Sequence, residues 1–272
     1  PNPKPQTPNP KPQTPTPILK LRFKRKGYNS MSAKSYFAEF FGTFMLTFIL
    51  GSVRIVNMEN LLCMALASFL MTVCMVHCFF HFSSAQFNPI LSLSLLITKQ
   101  NSLARAVIYA IVQLIASVFA GAVLYLINEG KETGKYYGAP QMNAAMREAG
   151  LVFEMISMFL LCLVYNYFMS NVTAPKYVYG TAIAAVYTIG IVGFGFISGG
   201  ALNLSFVFGP SIFMGFYKDW PYYIVGHILG GVLSGVLYRL FLLKEEDSDD
   251  ADELEDLEDS TETGTELKQK VE

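Results

Sequence analysis

The sequence predicts an all-α integral membrane protein with six transmembrane helices and two re-entrant half-helices arranged as an inverted repeat. Three observations carry that reading. Hydrophobic residues make up 52% of the chain and charged residues only 15%, where a soluble domain carries about a quarter charged residues. Six apolar stretches have the length needed to cross a bilayer, about 20 residues. The chain also repeats itself at an offset of 115 residues, which places Glu39 on Glu154 and Asn88 on Asn203.

The elements follow in order. Residues 1–34 repeat "PNPKPQT" and hold eight Lys or Arg and no acid. Proline density favours extended backbone that packs no core, so this segment is expected to be disordered. Met31 opens "MSAKSYFAEFF" directly before the first span, so either translation starts there or the first thirty residues are a dispensable extension. The membrane domain is expected over 35–243, with repeats of about 36–128 and 149–243. Its spans are 36–53, 61–82, 103–128, 149–170, 179–198 and 221–243. Two apolar runs, 88–98 and 203–216, are too short to cross and read as re-entrant. Residues 244–272 hold fourteen acids against three Lys and no aromatic residue, a composition that predicts a disordered tail.

Each half therefore contains an in-span acid, an Asn-headed short segment after its second span, and a third span with a polar residue followed by Gly. At an offset of 114, Gln113 meets His227 and Gly121 meets Gly235. Three spans per half insert the halves in opposite directions, an architecture whose site lies near the bilayer midplane. Asn is a strong helix N-cap and Pro89 suits the first helical position. Two half-helices entering from opposite faces direct their positive ends at one point. Oxygen of water or a hydroxyl is held there by donors, while a cation or hydronium meets positive potential.

Other chemistry is weaker. No Ser–His–Asp set, phosphate-binding loop or zinc spacing is present, so neither an enzyme nor a cofactor or metal is expected. Cys74 and Cys78 lie one helical turn apart, but all four cysteines fall within spans and read as packing residues. His77 and His81 share that spacing with no third ligand. Glu39 and Glu154 have two readings, a proton relay or an acceptor for loop N–H groups. Lys and Arg in short loops favour both termini in the cytosol.

The arrangement resembles the aquaporin, or major intrinsic protein, family on specific residues. "AEFFGTF" at 38–44 is similar to its first-span motif. "SSAQFNPILSLSLL" is similar to its first re-entrant motif, with Asn88-Pro89-Ile90 where Asn-Pro-Ala is usual. "SGGALNLSFVFGP" is similar to the second, with Asn203-Leu204-Ser205. The resemblance implies a passive channel for water or small uncharged solutes and a homotetramer with one pore per subunit. It also implies that Glu39 and Glu154 support the re-entrant loops. It places the narrow filter at Ser68, Ile191, Gly200 and Phe206, where a large aromatic, often a His, a small residue and an Arg are usual. Phe206 in place of Arg is the largest departure, and it makes that wall mostly apolar. A non-conducting scaffold and an ion-conducting derivative are the alternatives. The bilayer would be the plasma membrane or that of a vesicle or vacuole, and no nucleic-acid partner is expected.

Overall fold

The computed structural model describes residues 31–56, 60–128, 138–171 and 174–243. The expectations attached to residues 1–30 and to the acidic tail lie outside the described residues. The helices run α1 (Ala33–Val56), α2 (Leu61–Ser83), α3 (Pro89–Ile97), α4 (Leu103–Asn128), α5 (Arg147–Ser170), α6 (Tyr179–Ser198), α7 (Leu204–Met214) and α8 (Trp220–Leu237). A 3-10 turn, Lys176–Val178, leads into α6, and a π-helical turn, Tyr238–Leu242, extends α8. Six of the helices are long and apolar enough to cross a membrane, and α3 and α7 are the two short ones.

Local chemistry sets the boundaries. α1 begins at Ala33, taking in two residues expected to precede the membrane domain. Ser32 and Ser35 explain this, because each backbone N–H donates to the other's hydroxyl oxygen, at 3.1 and 3.2 Å. Such a reciprocal cap satisfies two orphan donors at a helix start. Asn60 caps α2 by accepting from the Cys63 N–H at 3.0 Å. α7 forms without a proline at its first position, because the Asn203 side chain supplies the cap.

Packing obeys the repeat. α1 packs on α4 as α5 packs on α8, and α1 on α2 as α5 on α6. Half-helix α3 lies between α8 of the opposite half and α4 of its own, and α7 lies mainly against α4 of the opposite half. Close approach decides these last contacts. A Cβ at Gly209 of α7 would lie inside the van der Waals radius of the Ser117 carbonyl on α4. At Gly231 of α8 it would collide with the Ile90 side chain on α3. Small residues let helices approach where lipid offers no hydrophobic drive to associate.

The molecule is polar inside and apolar outside. Glu39, Gln113, Glu154 and His227 are fully buried, while Phe37, Phe119, Phe196 and Leu240 are exposed. Exposed large side chains cost nothing against hydrocarbon, whereas an in-span carboxylate must find partners in the interior.

Candidate functional site

The α3 and α7 N-termini meet. Asn88 and Asn203 have nearly the same extended backbone, φ −149° and −147°, and each side-chain carbonyl caps its own helix. Asn88 Oδ1 accepts from the Ile90 N–H at 3.1 Å and Asn203 Oδ1 from the Ser205 N–H at 2.9 Å. Each Nδ2 then crosses to the other loop. Asn88 Nδ2 donates to the Leu202 carbonyl at 3.0 Å, and Asn203 Nδ2 to the Phe87 carbonyl at 2.9 Å. An amide nitrogen carries two hydrogens. The cross-brace uses one from each asparagine; the second of Asn88 reaches the Met158 sulfur, a weak acceptor, at 3.9 Å.

The loops leading into these caps carry strained backbone in register. Ser84, Ala85 and Phe87 have φ of 70°, 53° and 53°, and Gly199, Gly200 and Leu202, each 115 residues later, have 81°, 60° and 45°. Non-glycine residues in this region cost about 1–3 kcal/mol each and persist only where surroundings dictate them. Two carboxylates do the dictating. Glu39 accepts from the Gln86 N–H (2.9 Å), the Phe87 N–H (2.7 Å) and Gln113 Nε2 (2.7 Å). Glu154 accepts from the Ala201 N–H (3.0 Å), the Leu202 N–H (2.9 Å), the Ser198 hydroxyl (2.7 Å) and His227 Nε2 (2.8 Å). A carboxylate offers only acceptors, so the proton on that histidine sits on Nε2. Of the two readings of these acids, the geometry supports loop bracing, because the donors saturate both groups. Next to each, a serine hydroxyl accepts from a loop N–H at 3.1 Å, Ser83 from Ala85 and Ser198 from Gly200.

The four expected filter positions all lie on the second-half loop and the helices around it. Ser68, Ile191, Gly200 and Phe206 are all buried. Ile191 and Gly200 are brought together, since a Cβ at Gly200 would lie 3.2 Å from the Ile191 Cα. Ser68 Oγ is buried without a hydrogen-bond partner.

Two residues escaped the sequence reading. Arg54 falls one residue beyond the expected end of the first span, 36–53, and so reads as a loop charge. It belongs to the last turn of α1, where its Nη2 donates to the Gly199 carbonyl and its guanidinium lies 5.9 Å from the centre of the Phe206 ring. The available signal was a basic residue at the end of a span that otherwise carries only Glu39. Tyr187, on α6, is buried, and its hydroxyl interacts with the side chains of both Asn88 and Asn203. Nothing in the local pattern distinguishes it from the other aromatic residues of the spans.

Other candidates stay apart from this centre. Among the described residues no three His, Cys, Asp or Glu side chains are grouped to hold a metal. His77 is engaged with backbone, its Nδ1 2.8 Å from the Val73 carbonyl oxygen. Cys63, Cys74 and Cys78 are exposed and Cys162 is buried.

The sequence profile described as Major intrinsic protein matches residues 27–238. The chain belongs to the major intrinsic protein family. Relatives within the family include the lens fiber major intrinsic protein of Lithobates pipiens, 31% identical over 222 residues that cover 77% of this chain and 81% of that protein. Aquaporin-4 of Mus musculus is 30% identical over 169 residues, 61% of this chain. The chain spans about half the length of that relative, 51%. In structure, the aquaglyceroporin from Plasmodium falciparum superposes with a TM-score of 0.66 at 19% identity, covering 77% of this chain and 96% of that one. That likeness gives this family member the aquaporin fold, an all-helical multi-pass membrane architecture.

Proposed function

We propose that the protein is a passive transmembrane channel for water and small uncharged solutes, with Asn88 and Asn203 as its central donors. One observation carries this. Two capped half-helices stand tip to tip at the centre of the bundle, cross-braced by Asn88 Nδ2 on Leu202 O and Asn203 Nδ2 on Phe87 O. Both positive dipole ends face the junction; Asn203 keeps a second N–H for a passing oxygen, and Asn88 can exchange its weak Met158 sulfur acceptor for one. A neutral acceptor gains hydrogen bonds there, and a cation meets repulsion. The relatives named aquaporin and aquaglyceroporin support the same reading.

Ser68, Ile191, Gly200 and Phe206 form the narrow wall in this proposal, Glu39 and Glu154 hold the loops, and both termini face the cytosol. A homotetramer with one pore per subunit completes it. Stopped-flow light scattering on proteoliposomes tests the central claim. Osmotic shrinkage faster than in protein-free liposomes supports it, and identical rates in well-folded protein overturn it.

A second reading has its own observation. Burial of all four wall positions favours a scaffold whose pore stays shut. The same measurement separates the two.

A further inference from the structure

We propose that Arg54, carried on the first span, supplies the fixed positive charge of the outer constriction and makes the pore reject cations and hydronium. The proposal rests on the channel reading above and adds to it a residue outside both asparagine motifs.

The geometry places the charge well. Gly199 and Gly200 lead into the second half-helix, and Phe206 lies in its first turn. Arg54 spans the two, bonding the Gly199 carbonyl and facing the Phe206 ring at 5.9 Å. A guanidinium over an aromatic face is attracted by the ring quadrupole within about 6 Å. Phe206 thereby holds a cation it does not itself carry.

Pseudo-symmetry separates this from a simple latch. Position 84 in the first half corresponds to position 199 in the second. The Ser84 carbonyl accepts from two neutral phenols, Tyr165 at 2.5 Å and Tyr179 at 3.2 Å. Neutral donors therefore suffice to hold this kind of loop carbonyl. The second half uses a permanent charge instead, and the residue 115 positions after Arg54 is Met169. The first-half loop has a guanidinium of its own, Arg105 of α4 on the neighbouring Ser83 carbonyl at 3.2 Å, but that one lies over Tyr109, whereas Arg54 faces Phe206.

The charge also lacks a contact counter-ion. Arg54 makes no ion pair among the described residues. Its Nε is buried and has no partner. Glu154 is the carboxylate whose field reaches Arg54, but its oxygens are hydrogen-bonded to four other donors and make no contact with the guanidinium. A desolvated guanidinium with an idle donor is costly. Its excess positive potential and free N–H are what a cation-rejecting, oxygen-accepting constriction needs.

The test uses purified full-length protein in liposomes, measuring water flux by light scattering and proton and potassium leak by entrapped dyes. Arg54→Met removes charge and donors, and Arg54→Gln removes charge while keeping an amide donor. For both, the ratio of cation leak to water flux should rise at least about tenfold, equivalent to about 1.4 kcal/mol of lost discrimination. Arg54→Lys should restore the low ratio, and so should Arg54→Met combined with Phe206→Arg, which moves the charge to the ring position. An unchanged ratio in a folded neutral variant overturns the proposal. Loss of folding in both neutral variants assigns Arg54 to the fold and overturns it as well. Wild-type water flux no faster than in empty liposomes overturns the channel reading, whereas normal wild-type flux with insensitive variants overturns only the role of Arg54.

Discussion

Replacing Glu39 separates a loop-bracing carboxylate from a proton carrier, because two substitutions make opposite demands on it. Glu39→Ala strands three buried donors, the Gln86 and Phe87 N–H groups and Gln113 Nε2. Each buried donor left without a partner costs about 1–3 kcal/mol, so the alanine variant should lose about 3–9 kcal/mol. Water entering the vacated space will pull the value toward the lower end. Glu39→Gln behaves differently. Its carbonyl oxygen can still take the Gln86 N–H, while its amide nitrogen faces the Phe87 N–H and Gln113. Gln113 can turn its amide over, since its own Oε1 has no partner. The Phe87 N–H and Gln113 Nε2 then lose their acceptor while Gln113 Oε1 gains a donor, a net loss of one partner rather than three, at about 1–3 kcal/mol.

Thermal unfolding in detergent reads the difference. The glutamine variant should melt about 2–12 °C below wild type, using roughly 2–4 °C per kcal/mol for a chain of this size. The alanine variant should fall much further or fail to assemble. Water flux in liposomes should survive in the glutamine variant, because Asn88 stays capped on Ile90 and braced on Leu202. The reasoning fails if glutamine destabilises as much as alanine. It fails equally if glutamine leaves the melting temperature unchanged but abolishes transport, the signature of a titrating group.

Three further outcomes are expected. Tyr187→Phe removes the hydroxyl that interacts with both asparagines, so water flux measured by light scattering should change with little loss of thermal stability; an unchanged flux places Tyr187 off the pathway. Phe206→Ala should speed the passage of solutes such as glycerol by opening an apolar wall, and flux identical to wild type in folded protein removes Phe206 from the constriction. Gly209→Ala should abolish a monodisperse peak on size exclusion because its Cβ meets the Ser117 backbone, whereas Gly193→Ala, where nothing lies within 4 Å, should be neutral or stabilising by up to about 1 kcal/mol.

The contrast between what was and was not legible follows from the range of the forces involved. Helix spans, half-helices and the pairing of halves depend on apolar length, cap chemistry and repetition, all local or periodic. That is why 88–98 and 203–216 correspond to α3 and α7, and why Gln113 and His227 occupy matching places beside the two acids. The strained loop residues also follow the 115-residue offset, since one carboxylate per half imposes the same backbone path on each. Arg54 and Tyr187 depend on something else. A long side chain at the end of a helix can turn toward lipid headgroups, solvent or the bundle, and sequence periodicity gives the same answer for all three. Its destination is set by which carbonyl the opposite half leaves open, here Gly199.

That dependence changes how a substitution at a motif position should be weighed. Phe206 reads in the sequence as the loss of a charge, because only its own position is compared with the family pattern. In three dimensions the same neighbourhood holds a guanidinium from α1, 152 residues earlier in the chain. A phenylalanine is suited to that arrangement, offering a ring face where a second arginine would bring two like charges into a desolvated site. Phe206→Arg alone should therefore be less stable than Phe206→Arg combined with Arg54→Met, a sign of coupling that a double-mutant cycle of melting temperatures measures directly. Additive effects would mean that the two side chains sit near each other without sharing a task.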